Sequence, residues 1–144
     1  MAANDEAPAG EEQDSVERRS RQRFLATRWG QACFWVIVDD IKLALNDLSL
    51  EGFAYPASTA PASGRDFPFV LVRSGVPDEI RGIAQVVNYL QDAGGGQAGC
   101  AFVSFEGDGA ERLNDWLVAH VIANATVRIT EQDARNIVSG GSLI

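Results

Sequence analysis

The residues with the clearest chemical potential are three arginines near the N-terminus, Arg18, Arg19 and Arg23. The arginine side chain presents a planar fork that binds phosphate oxygens through two hydrogen bonds and stacks on aromatic rings. Arg19 and Arg23 are four residues apart, so both can converge on one phosphate group or on the edge of a guanine base. This spacing predicts a local anion site.

The charge distribution around these arginines leaves other interpretations open. Residues 1–17 carry six acidic and no basic side chains, whereas residues 18–28 carry five of the chain's 12 Lys and Arg residues. A solvated basic run that pairs with the acidic segment would have the same composition. A nucleic-acid-binding or nuclear-localisation tail is a third interpretation. The net charge of -8 argues against general nucleic-acid binding, whose surfaces are usually basic.

A second group of polar residues follows in the segment DLSLEG, at Asp47, Ser49 and Gly52. Because Asp47 and Ser49 alternate with leucines at a strand end, we expect both side chains to point to one face. A carboxylate there can accept hydrogen bonds from the N1–H and N2–H edge of guanine, and a hydroxyl can bind phosphate or backbone. Gly52 would permit a tight turn or a close approach of ligand. Alone, this pattern is also typical of a turn capped by Asp and Ser side chains.

The elements that position these residues are mostly short strands. The Arg-rich segment 17–28 predicts an ordered loop or a single turn, and the glycine-rich segment 93–99 predicts a hairpin turn. An amphipathic stripe predicts a helix over 109–123, and a second helix is expected from Thr130, where T-E-Q-D resembles a capping box. Apolar or alternating segments predict strands at 33–38, 41–45, 53–55, 67–73, 80–90 and 100–105.

Taken together, the two polar motifs resemble those of the PilZ family. RRxxxR at residues 18–23 is followed about one hairpin later by D-x-S-x-x-G at residues 47–52. Residues 80–105 are similar to the family's last hairpin, with a G-x-x-F element at 99–102, and ERLNDWLVAHV is similar to its closing helix. The resemblance implies an all-β fold with a helix, namely a six-stranded antiparallel β-barrel with a C-terminal α-helix that binds cyclic di-GMP.

The resemblance also implies a mechanism and a kind of partner. The ligand-binding residues that it implies are Arg18, Arg19, Arg23, Asp47, Ser49 and Gly52. The Arg-rich segment is expected to become ordered over bound nucleotide and to relay its presence to a separate protein of the motility, exopolysaccharide or pilus machinery. The alternative is a PilZ-like adaptor that acts through protein contacts without nucleotide.

The domain organisation follows from length and composition. The 144 residues predict one domain. We expect a disordered acidic tail at 1–16, the PilZ-like domain at 17–123 and a C-terminal extension at 124–144 that includes a short helix. No apolar run approaches the roughly 20 residues of a membrane-spanning helix, and residues 1–16 lack the pattern of a secretory signal. A cytoplasmic protein without membrane insertion is therefore expected.

Catalytic, metal-binding and cofactor-binding functions are not expected from this inventory of residues. The single histidine, His120, lies on the apolar stripe of the predicted helix, and Cys33 and Cys100 lie in apolar strand-like runs, so core packing is predicted for all three. The G-x-G-x-x-G at 94–99 opens a strand instead of a helix, which excludes a dinucleotide site. Trp29 follows the arginines; core packing is favoured for it over ligand contact.

Overall fold

A computed structural model of the protein describes residues 22–92 and 94–140. Within these residues ten β-strands precede two α-helices, so the chain is mostly β with helices, as the sequence predicts. The strands are β1 (Phe24–Leu25), β2 (Thr27–Arg28), β3 (Gln31–Ala32), β4 (Phe34–Val38), β5 (Ile41–Ala44), β6 (Asp47–Leu48), β7 (Gly52–Pro56), β8 (Asp66–Arg73), β9 (Glu79–Asp92) and β10 (Gly95–Phe105). The helices are α1 (Gly109–Asn124) and α2 (Glu131–Ser139).

Eight of these strands form one antiparallel sheet that curls into a half-barrel, in the order β1-β6-β7-β10-β9-β8-β4-β5. β2 and β3 pair with each other as a separate hairpin. The predicted count of six strands is therefore wrong for the described residues. β1 and β6 are segments of only two residues that pair with each other at one edge of the sheet. Segments this short carry no apolar alternation of their own, so the sequence pattern did not reveal them.

The loop or turn predicted for residues 17–28 is instead partly extended. Residues 17–21 lie outside the described chain, but β1 and β2 follow them. Between these strands Ala26 is fully buried; its N–H donates to the carbonyl of Asn46 at 3.0 Å, and its own carbonyl accepts from the N–H of Cys33 at 2.8 Å. Backbone pairing around one small buried residue holds this segment on the sheet, and hydropathy does not detect that arrangement.

Trp29 lies at the turn of the β2–β3 hairpin and is 88% exposed, so the core packing favoured for it is wrong. Its φ of 54° lies in the left-handed region, which is uncommon for a bulky side chain. The guanidinium of Arg28 lies over the indole ring, 4.4 Å from its centroid. The hairpin thus presents a paired cation and aromatic ring to solvent.

The glycine-rich segment between β9 and β10 belongs mostly to β10, which corrects the turn predicted for residues 93–99. The two strands stay paired as far as Gly95. Glycine is required at position 96 because a side chain there would overlap the hydroxyl of Tyr89, which donates to the carbonyl of Ala57 at 2.9 Å. These glycines therefore serve close packing within the sheet as well as the reversal of the chain.

The core lies between the sheet and α1, whose bounds confirm the helix predicted over 109–123. The aromatic ring of Phe34 on β4 packs against two rings of the helix, Trp116 at 6.4 Å and His120 at 5.1 Å between centroids. The side chains that α1 buries recur every three or four positions and include Leu113, Trp116, Leu117 and His120. The helix thereby contacts β4 through Phe34 and, through His120, the carbonyl oxygen of Leu25 on β1.

The second helix begins where the sequence predicts it. The hydroxyl of Thr130 accepts from the N–H of Asp133 at 3.0 Å, and the Asp133 carboxylate accepts from the N–H of Thr130 at 3.2 Å, so the capping box is complete. Arg135 then connects α2 to α1 by contacting Asp115 at 3.3 Å. Residues 141–144 lie outside the described chain, as does the predicted tail at 1–16.

Candidate functional site

Four of the six predicted ligand-binding residues lie in the described chain. Arg23 is next to β1, Asp47 begins β6, and Ser49 and Gly52 lie on either side of the turn that joins β6 to β7. The other two, Arg18 and Arg19, fall outside the described residues. The structure therefore reports on the second half of the arginine motif and on the whole of D-x-S-x-x-G.

The ladder between β1 and β6 brings the two sequence motifs together. Leu25 pairs with Asp47 in the antiparallel register, which places Arg23 beside the Asp47 carboxylate. The Nη1 atom of Arg23 lies 3.2 Å from Oδ1 of Asp47, and the two side chains remain 36% and 20% exposed. A cation and a carboxylate from segments 24 residues apart thus meet at one partly exposed position.

Ser49 does not share a face with Asp47, which corrects the orientation predicted from strand alternation. Its hydroxyl is 3% exposed and accepts hydrogen bonds from the N–H groups of Glu51 at 3.1 Å and Gly52 at 3.3 Å. β6 ends at Leu48, so the alternation of a strand does not extend to the serine. Ser49 instead caps the turn, the arrangement that the pattern alone also allowed.

Gly52 is required by a close approach of two strands. A Cβ atom at this position would overlap the carbonyl oxygen of Cys100 on β10. The neighbouring carbonyl of Glu51 accepts from the N–H of Phe102 at 2.9 Å, which holds the turn against β10. The motif glycine thus fixes the distance between the Ser49–Gly52 turn and the sheet.

A groove of about 960 Å³ opens beside this turn. Arg23 and the turn residues 49–52 line one part of it, and β9 residues 85–88 and β10 residues 100–102 line another. Phe102 contributes a half-buried ring that contacts Phe105 at 4.8 Å between centroids. The groove combines apolar rings with a guanidinium, amides and backbone groups, which is the usual composition of a small-molecule site.

Sequence reasoning missed the part of this groove that β9 provides. Gln85 donates from Nε2 to the carbonyl of Gly64 at 3.2 Å and to Asp66 at 3.0 Å, and Asn88 lies further along the same strand. Both amides fall inside an apparently ordinary strand pattern. Gln85 and Asn88 line the same groove as Arg23 because of the register between β9 and β10. That register cannot be predicted from the sequence of either strand alone.

Burial shifts the pKa values of two titratable side chains of the core, Cys100 and His120. Cys100 is buried and Cys33 is half-buried against the core, as predicted for both. Burial raises the pKa of the Cys100 thiol to about 12, so it stays protonated at neutral pH. Burial also lowers the pKa of His120, whose Nε2 lies 2.7 Å from the carbonyl oxygen of Leu25. His120 therefore acts as a neutral packing group between α1 and β1.

In residues 22–92 and 94–140 no group of three or more His, Cys, Asp or Glu side chains is arranged to hold a metal ion. The helices in this part of the chain are too short or too polar to cross a membrane.

Solved structures of two other proteins match part of this chain. The Bacillus subtilis inhibitor of motility MotI/DgrA matches with a TM-score of 0.60 at 14% identity, over 75% of this chain and 53% of its own. The present chain thus spans about half the length of that protein. An uncharacterized Legionella protein, Lpg0364, matches with a TM-score of 0.49 at 13% identity, over 72% of this chain and 95% of its own.

These comparisons concern the fold. No protein-family model matches the sequence. No curated protein matches it either. The likeness to MotI/DgrA supports a PilZ-like fold of β-strands with helices.

Proposed function

We propose that this protein is a receptor for cyclic di-GMP that relays nucleotide binding to a partner protein. The observation that carries the proposal is the contact between Asp47 and Arg23, of which Arg23 lines the groove. It brings Arg23, the last residue of RRxxxR, next to Asp47, the first residue of D-x-S-x-x-G. The PilZ-like fold supports the same function.

The chemistry of the pair suits the two parts of this ligand. The guanidinium of Arg23 can bind a phosphate through two hydrogen bonds or stack on a purine ring. The carboxylate of Asp47 can accept from the N1–H and N2–H groups of guanine. In the proposed complex the nucleotide takes over these contacts, while Arg18 and Arg19 close over it from the N-terminal side, as the family resemblance implies.

We propose a binding function without catalysis. The groove beside Arg23 holds a cation, amides and aromatic rings, which recognise a nucleotide but provide no nucleophile paired with a base. The single histidine of the chain, His120, lies outside the residues that line the groove and is fixed against Leu25. No cofactor other than the nucleotide is required by this proposal.

The relay to a partner has a short structural route. Arg23 is two residues from Leu25, whose carbonyl oxygen contacts His120 of α1. A nucleotide that pulls Arg23 away from Asp47 would therefore act on the strand that holds α1 to the sheet. The similar fold of MotI/DgrA, an inhibitor of motility, makes a motility protein the first class of partner to test.

The second candidate function is an adaptor that binds protein without nucleotide. The observation that favours it is Trp29, which is 88% exposed at a hairpin turn with the Arg28 guanidinium stacked on its ring. Exposed tryptophan and arginine are the side chains that most often dominate protein–protein contacts.

Calorimetric titration of cyclic di-GMP into the full chain separates the two candidates. We expect binding by the wild type and a loss of about 2 kcal/mol, or roughly thirtyfold in affinity, in Arg23→Ala. Arg81→Ala is the matched control, because Arg81 also pairs with a carboxylate, Glu79 at 2.6 Å, but does not line the groove. Absence of binding by the wild type would overturn the receptor function and leave the adaptor.

A further inference from the structure

One side chain of the groove, Asn88, has no role in the fold or in the motifs. It lies on β9, is exposed, and lines the same groove as Arg23. Across the described chain no hydrogen bond engages its amide. The other groove amide, Gln85, is already bonded to Gly64 and Asp66. Among the described groove residues Asn88 therefore has an amide available for a ligand.

A β-bulge turns Asn88 toward the groove. On β9, Ala84 and Val86 are buried, so regular alternation would direct Asn88 into the core as well. In the ladder with β10 the pairing passes from Val86 to Asn88 and leaves Val87 as an extra residue. Bulges of this kind re-aim side chains and are common beside functional sites. The exposure of Asn88 is the direct result of this irregularity.

Gly99 leaves space for the Asn88 side chain. The two residues are cross-strand partners, and a Cβ atom at Gly99 would overlap the Oδ1 atom of Asn88. The amide oxygen is the atom nearest to Gly99, and Nδ2 lies farther from it. The oxygen is thus the amide atom nearest to the glycine, and across the described chain no hydrogen bond uses the Nδ2 donors. Only glycine at position 99 allows the amide to lie this close to the backbone.

From these contacts we propose that Asn88 is a specificity-determining residue that donates a hydrogen bond to the O6 edge of a guanine in the groove. This inference rests on the proposed cyclic di-GMP function. It adds to the phosphate-binding arginines a residue that recognises the guanine base. Adenine carries an amino group in place of O6, so the amide donor would meet another donor. A site that loses a hydrogen bond with the wrong base discriminates against it.

The test compares two nucleotides on variants of the full chain. Affinities for cyclic di-GMP and for its adenine analogue, cyclic di-AMP, are measured by calorimetry and by displacement. Asn88→Ala should weaken cyclic di-GMP binding about five- to tenfold and leave cyclic di-AMP binding unchanged. Gln91→Ala is the matched control, since Gln91 is an exposed amide on the same strand that does not line the groove.

Two further variants test the geometry. Gly99→Ala should displace the Asn88 amide and lower the preference for cyclic di-GMP in the same direction as Asn88→Ala. Asn88→Asp replaces donors by acceptors at nearly the same shape and should shift the preference further toward adenine.

Each remaining outcome has a defined meaning. Equal losses for both nucleotides in Asn88→Ala would show a contact to phosphate or ribose and overturn the assignment to the base. Unchanged binding of both nucleotides would overturn any ligand contact by Asn88. No binding of cyclic di-GMP by the wild type would overturn the proposed function itself, and this inference with it.

Discussion

Arg23 and Asp47 are 24 residues apart in the chain, yet the guanidinium Nη1 of the first lies 3.2 Å from the carboxylate Oδ1 of the second. The contact exists because β1 and β6 pair with Leu25 opposite Asp47. It links the arginine motif directly to the D-x-S-x-x-G motif at the edge of the groove. In the proposed complex, a nucleotide that binds Arg23 would compete with this contact inside the protein.

Because of this competition, we expect a substitution of Arg23 to change the affinity for cyclic di-GMP more than the free energy of unfolding. Arg23→Lys keeps the charge but loses the fork, so we expect about tenfold weaker cyclic di-GMP binding, measured by calorimetry. Partly exposed ion pairs contribute little, so the free energy of unfolding in urea should change by less than about 1 kcal/mol. A loss of several kcal/mol in stability would instead identify Arg23 as a structural residue.

Ser49 is predicted to matter for stability, because its hydroxyl caps the turn. Ser49→Ala removes the acceptor used by the N–H groups of Glu51 and Gly52, and should lower the free energy of unfolding by about 1–2 kcal/mol. Urea unfolding followed by fluorescence measures this change. Ser63→Ala is the control, since Ser63 lines the groove but is exposed. Equal stability of the two variants would contradict the capping role.

Gly52→Ala should be among the most damaging substitutions in the chain. The new Cβ would overlap the carbonyl oxygen of Cys100, and backbone on both strands would have to move. We expect a loss of about 3 kcal/mol or more in the free energy of unfolding. Gly30→Ala, at a positive φ with open space around it, should cost only about 1–2 kcal/mol from backbone strain. Similar midpoints in thermal unfolding of the two variants would disprove the steric explanation.

His120 predicts a pH dependence of stability. Burial, with smaller effects from Arg73 and Arg28, lowers its pKa below the ordinary 6.5, although the hydrogen bond with Leu25 acts in the opposite direction. Above pH 6.5 both the folded and the unfolded chain hold a neutral imidazole, so the stabilisation is complete. As the pH falls below 6.5 the unfolded chain binds a proton that the folded chain does not bind, and the stability decreases.

The comparison with His120→Gln isolates this effect from the titration of carboxylates. Unfolding in urea at pH 7.5 and pH 5.5 should show a larger loss of stability on acidification for the wild type than for the variant. A wild type that loses no more stability than His120→Gln would show that the folded-state pKa of the imidazole is not lowered.

Sequence patterns within short segments were sufficient to predict several helices and strands. The apolar stripe from Leu113 to His120 predicted α1, and the T-E-Q-D sequence at Thr130 predicted the start of α2. The apolar run at 33–38 and the alternation at 41–45 predicted β4 and β5, which pair with each other. Each of these patterns involves only residues within about one helical turn or one strand. The sequence of the segment is therefore enough to predict the element.

Other features depend on where strands end, on the backbone conformation of turns and on strand register. Ser49 turns inward because β6 ends one residue earlier and its hydroxyl meets two N–H groups of its own turn. Core packing is favoured over ligand contact for Trp29 from the sequence, but at the hairpin turn, where its backbone is left-handed, the side chain is exposed. Asn88 reaches the groove through a bulge that exists only in the register of β9 against β10.

The sequence by itself thus determined the β-rich class, the two helices and the identity of the charged motif residues. The tertiary structure alone decided that Arg23 meets Asp47 and that Asn88 borders the same groove as Arg23. The physical reason is that hydropathy and capping are local properties, whereas strand register is set by the sum of many cross-strand contacts. One residue of shift in β9 reverses which side chains face the groove.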